Sequence, residues 1–179
     1  ISPADPGETV KALFASINHK QSVYIRLTGG SNTSQIYKSD YKFEIGKSIK
    51  LSDGDDLLII ASGSMVKTAL NCAEKLNDKR ISSEVINIHT IKPLDKDQIY
   101  KSIKGKKLII TIEEHNIIGG LGSAVSEVIS EIEGSPRKIS FGINDMYSKA
   151  GSYKYLKDKF GLEDDKIINK IEKELKING

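Results

Sequence analysis

The chain has 179 residues, 38% hydrophobic and 28% charged, the make-up of a globular polypeptide long enough for one domain, or for one domain and part of another. No apolar run approaches the roughly 18–20 residues that a bilayer crossing needs, and the first residues lack a basic segment followed by an apolar one, so neither a membrane span nor export is expected. A net charge of +3, carried mostly by scattered lysines with only Arg26, Arg80 and Arg137 able to make fork-like contacts, argues against a nucleic-acid partner.

Asp5-Pro6-Gly7-Glu8 opens a helix: Asp5 caps, Pro6 suits the first helical position, and Glu8 reaches back as in a capping box. Val10, Leu13, Phe14 and Ile17 repeat at helical spacing and give one apolar face that needs a partner. A short strand is expected over residues 23–27, ending in Thr28-Gly29-Gly30-Ser31-Asn32, which has no periodicity. One helix and one strand close no core, so residues 1–38 read as the tail of a larger domain, with a second unit over residues 39–179.

That second unit starts with a short edge strand over residues 48–51, a turn at Ser52-Asp53-Gly54-Asp55, and a strand over 56–61 expected to be fully buried. Ser62 or Ser64 caps the next helix, which runs to Asn77 and places the lone Cys72 at helical spacing with Met65, Ala69 and Leu76. A buried structural thiol is expected from that placement, and with a lone cysteine a reducing cytoplasm is the default expectation. Residues 83–88 form another strand, and Asp95 caps a short helix with Gln98 at the capping-box position. A third apolar strand covers 107–112, followed after Gly122 by a helix carrying Val125, Val128, Ile129 and Ile132 on one stripe. A strand over 138–141 and helices over 153–160 and 163–177 complete the chain.

Strands alternating with helices require crossover connections, and the expected fold class is α/β, a three-layer α/β/α arrangement around a mostly parallel sheet. Ligands of such sheets gather beyond the carboxyl ends of the strands, where Ala61-Ser62-Gly63-Ser64 and the turn from His115 to Gly122 both fall. Gly120-Leu121-Gly122 invites a dinucleotide reading, but the third glycine of that fingerprint falls at Val125 and no P-loop lysine follows. Glu113, Glu114 and His115 could act as acid, base or ligand. Neighbouring residues in an extended segment point to opposite faces, so a solvated strand end or a subunit contact is the favoured reading. His19 lies in a polar loop, His89 ends a strand, and no His or Cys pair has metal-ligand spacing.

With these residues laid out, the chain resembles the C-terminal portion of the transketolase family. The resemblance runs through Ser2-Pro3-Ala4-Asp5, Val23-Tyr24-Ile25-Arg26, Ile36-Tyr37, Ala61-Ser62-Gly63-Ser64, Val85-Ile86-Asn87 and Thr90-Ile91-Lys92-Pro93-Leu94-Asp95. Its most specific part runs from Glu113-Glu114-His115 through Gly122-Ser123-Ala124-Val125. It implies that residues 1–38 are a remnant of the pyrimidine-binding domain and 39–179 the transketolase C-terminal-like domain. Deoxyxylulose phosphate synthase and the β subunits of 2-oxo acid dehydrogenases share this architecture, and a noncatalytic dimerisation or docking module is the alternative from another class.

The family implies transfer of a two-carbon ketol unit between sugars. Thiamine diphosphate and Mg would be bound by the remaining N-terminal portion of the enzyme, with no catalytic, cofactor-binding or metal residue in this chain. Arg26, Gly29, Gly30 and Ser31 are the substrate-loop candidates that the resemblance implies. Glu113, Glu114, His115, Gly119, Gly120 and Gly122 are the interface candidates, for a contact to that remaining portion and within a homo-oligomer. Transketolases commonly carry a second arginine three residues after the one matching Arg26, where it helps hold the sugar's terminal phosphate; Gly29 stands there. An unphosphorylated relative of the usual substrate is therefore compatible with this loop.

Overall fold

The computed structural model describes residues 1–28 and 34–177. In chain order its elements are α1 (Pro6–Ile17), β1 (Ile49–Ser52), β2 (Leu57–Ala61), α2 (Met65–Asn77), β3 (Ser83–Asn87), α3 (Lys96–Ser102), β4 (Leu108–Asn116), α4 (Leu121–Ser130), β5 (Lys138–Ile143), α5 (Tyr153–Lys159) and α6 (Asp164–Ile177). The strands form one sheet in the order β1-β3-β2-β4-β5, with β1 antiparallel to β3 and the other pairs parallel.

Every residue of β2 and β3 is buried, as strands covered on both faces must be, and alternation splits their side chains between two cores. Leu57 and Ile59 of β2 and Ile110 of β4 pack with Ala69 and Cys72 of α2 and Ile167 and Ile171 of α6. On the other face Leu58, Ile60, Ile86 and Ile109 meet Ile99 of α3 and Val125 and Val128 of α4. Helices thus cover both sides of the sheet, giving the three-layer α/β/α fold. Cys72 is buried, and burial pushes its thiol up to about 12, so it stays protonated as a core group. Among the described residues no helix is long and apolar enough to cross a membrane.

Local chemistry departs from expectation at several points. Asp5 caps α1 by accepting from the Glu8 amide at 2.7 Å, but Glu8 does not close a capping box. Its carboxylate accepts instead from the Ala4 amide at 2.6 Å and from the Asn87 side chain at the end of β3. Ser64 precedes α2 without capping it, because its hydroxyl donates to Glu114. Residues 23–27 form no strand: among the described residues their pairing is confined to Ile1, which donates to the Tyr24 carbonyl at 2.7 Å and accepts from the Arg26 amide at 2.8 Å. Two hydrogen bonds to one residue are too few to make a ladder. In the other direction, β4 runs past Ile112 to Asn116, which pairs with Ile143 beyond an irregularity in the β4–β5 ladder.

Candidate functional site

The chain winds from β2 to β3 on one side and through β4 to β5 on the other, so its winding reverses between β2 and β4. A cleft of about 720 Å³ opens beyond the carboxyl ends of these two strands, where α/β sheets bind ligands. Ser62, Glu113 and Gly120 line it from the strand ends, Lys92 and Pro93 from the turn after β3, and Arg26 from the segment before the undescribed residues.

Glu113 is 2% exposed, and its two oxygens accept from the amides of Leu121 at 2.7 Å and Gly122 at 2.8 Å. Those are amides of the first turn of α4, which has no side-chain cap of its own. Burial raises the Glu113 carboxyl above the usual glutamate range, and the two amides pull it part of the way back. The glycines follow from this closure. A Cβ at Gly120 would collide with the Glu113 carboxylate, and one at Gly122 would lie 2.7 Å from Ser140 Oγ. Glu113 is therefore no solvated strand end but an internal acceptor for the first turn of α4.

Because β4 continues through these residues, Glu114 faces the other way, where it accepts from the hydroxyls of Ser64 and, at 2.8 Å, Tyr153. His115 is exposed beside the cleft, its Nδ1 3.0 Å from the Asn116 carbonyl, and exposed Gly119 supplies a positive φ to the turn. The structure thus brings Arg26, Glu113, His115, Gly119 and Gly120 to one cleft and leaves Glu114 and Gly122 outside it. Gly29, Gly30 and Ser31 lie outside the described residues.

Arg26 is half-buried and has neither an ion pair nor a side-chain hydrogen bond among the described residues. His19 and Lys92 join it at the cleft, so Lys92 adds a second cation to a lining whose one carboxylate, Glu113, is already engaged. His89 is a core residue: fully buried, stacked on Phe43 at 4.2 Å between ring centres, and pushed down to about 4 by burial. A diphosphate does not fit the α4 terminus, since Glu113 already occupies the Leu121 and Gly122 amides that would cradle it. Among the described residues no three His, Cys, Asp or Glu side chains are grouped to hold a metal ion.

The sequence signals Arg26 and the Glu-Glu-His run, but not the part played by Lys92 and Pro93 or the burial of Glu8. A lysine before a proline looks like any turn. Glu8 carries only the capping-box spacing, and its actual partner Asn87 is 79 positions away.

The family description of the transketolase C-terminal domain matches residues 46–167. A putative transketolase C-terminal section of Methanocaldococcus jannaschii is 38% identical over 178 residues, covering 98% of this chain and 55% of that protein. One of the subunits of the apulose-4-phosphate transketolase of Actinobacillus succinogenes is 36% identical over 170 residues, covering 94% of this chain and 54% of that protein. Among solved structures, a split-gene transketolase described as an inactive β4 tetramer superposes with a TM-score of 0.89 at 33% identity, covering 96% of this chain and 56% of that one. The chain spans about half the length of the curated relatives it matches.

Proposed function

Because the chain belongs to the transketolase family, carrying its C-terminal domain, we propose that it serves as the C-terminal part of an enzyme moving a two-carbon ketol unit between sugars. The cofactor, thiamine diphosphate with its divalent metal, belongs on this reading to the complementary N-terminal portion. This chain widens the subunit contact and supports the substrate cleft, with Arg26 as the cation offered to an anionic end of the sugar. The substrates are sugar phosphates or, given Gly29, unphosphorylated relatives.

One observation carries the reading. The apolar face expected on α1 is exposed, with Val10 at 51%, Leu13 at 51%, Phe14 at 67% and Ile17 at 74%, and Tyr24 and Leu27 are exposed as well, at 77% and 62%. An exposed apolar stripe of this kind along one helix marks a surface made to be covered. In a chain spanning about half the length of its relatives, the complementary half is the natural cover.

The test is reconstitution with the complementary polypeptide, thiamine diphosphate and magnesium, assayed by ketol transfer from a ketose to an aldose. Neither polypeptide should turn over alone, and the mixture should. Turnover by the complementary polypeptide without this chain would overturn the reading.

A further inference from the structure

We propose that residues 1–8 are a strap through which the α/β domain sets the position of Arg26 at the cleft, with Glu8 and Asn87 as its latch. Both are then positioning residues, acting on a ligand only through Arg26, and the functional consequence rests on the reading of Arg26 given above.

Ile1 and Ser2 bond to opposite sides, as successive residues of an extended segment do. Ile1 pairs with the cleft segment, taking the Arg26 amide at 2.8 Å. Ser2 pairs with the sheet ends: its amide donates to the His89 carbonyl at 2.7 Å, and its carbonyl accepts from the Gly63 amide at 3.1 Å. The approach to Gly63 is close. That residue sits at φ +58°, and a Cβ there would lie 2.5 Å from Ser2 Oγ. Among the described residues Arg26 has no other backbone hydrogen bond, so the strap is its tether to the sheet.

The latch fixes the far end of the strap. Glu8 is fully buried and accepts from the Ala4 amide at 2.6 Å, the Asn87 side chain at 2.9 and 3.0 Å, the Tyr37 hydroxyl at 2.8 Å and the Tyr41 hydroxyl at 3.2 Å. No cation is paired with it among the described residues. A buried carboxylate held only by neutral donors needs all of them in place, which selects one arrangement of the segments that bring them. Those segments are the strap through Ala4, β3 through Asn87, and residues 36–41, ahead of β1, through Tyr37 and Tyr41. Asp5 draws in the same residues, its second oxygen accepting from the Ile36 amide at 2.8 Å.

The experiment uses the reconstituted enzyme with Asn87→Leu, and with Tyr37→Phe as a milder break of the same network. Hydrogen exchange at the Arg26 amide should quicken by about tenfold, the factor equivalent to 1.4 kcal/mol, while exchange within β2 stays as in the wild type. KM for a phosphorylated ketose should rise with kcat held, and KM for an unphosphorylated ketose should not move. Unchanged Arg26 exchange in folded Asn87→Leu overturns the strap; should that variant not fold, unchanged exchange in Tyr37→Phe overturns it equally. Faster exchange with both KM values unchanged supports the strap and rejects Arg26 as the anion's partner, so the two readings fail separately.

Discussion

A carboxylate taken out of water must be given donors, and Glu113 is given two from α4. Removing it by Glu113→Ala leaves the Leu121 and Gly122 amides without an acceptor, at about 1–3 kcal/mol for each buried donor. Urea unfolding at neutral pH should therefore show a loss of about 2–6 kcal/mol on that bookkeeping, and a loss below about 1 kcal/mol would mean that the helix finds another acceptor. The pH dependence has a defined sign. The folded state raises the Glu113 carboxyl, so it holds that proton more tightly than the unfolded chain does. The contribution of Glu113 is then fully present below the ordinary glutamate value of about 4.3 and declines as pH rises towards the raised folded value. The gap between wild type and Glu113→Ala should narrow over that interval, and parallel curves would contradict the burial argument. The Glu-Glu-His run is visible in the sequence as a cluster of ionisable groups. Which carboxylate turns inward depends on how far β4 continues, and that is decided by pairing with β5 beyond an irregularity that no local pattern marks.

At the level of elements, the strands with unbroken apolar runs were the legible ones. The Leu-Leu-Ile-Ile-Ala run of β2 and the Leu-Ile-Ile-Thr-Ile run that opens β4 carry their own evidence, because only a strand covered on both faces buries such a run. Residues 23–27 have strand-like composition, yet without a neighbour to complete a ladder they form none among the described residues. Helix α1 lies between these cases: its spacing predicts a helix and an apolar face, and the helix is present with that face exposed. Replacing Leu13 and Phe14 together by serine should leave the stability of this chain within about 1 kcal/mol of wild type, as expected for two substitutions at positions more than half exposed. The same pair should weaken assembly with the complementary polypeptide by more than about tenfold, or 1.4 kcal/mol. Titration of one polypeptide into the other measures it, and equal affinity of variant and wild type would show that α1 is not the covered surface.

For the molecule as a whole, the family was legible because its landmarks fall at strand ends and tight glycine turns, where geometry restricts the residues allowed. The Gly-x-Gly turn that opens α4 is occupied by Glu113, which takes the Leu121 and Gly122 amides that a diphosphate would use there. Calorimetric titration of this chain with thiamine diphosphate and magnesium should accordingly show no binding stronger than millimolar, about −4.1 kcal/mol. Micromolar binding at one site per chain would place a cofactor-holding surface where none is expected.

The position of Ile1 has a practical side. The residue lines the cleft and is bonded to Tyr24 and Arg26, while Ser2 lies against the ends of β2 and β3. These two residues are therefore part of the wall between cleft and sheet, and a bulky label carried on the side chain at position 1 would compete with any ligand for the space beside Arg26.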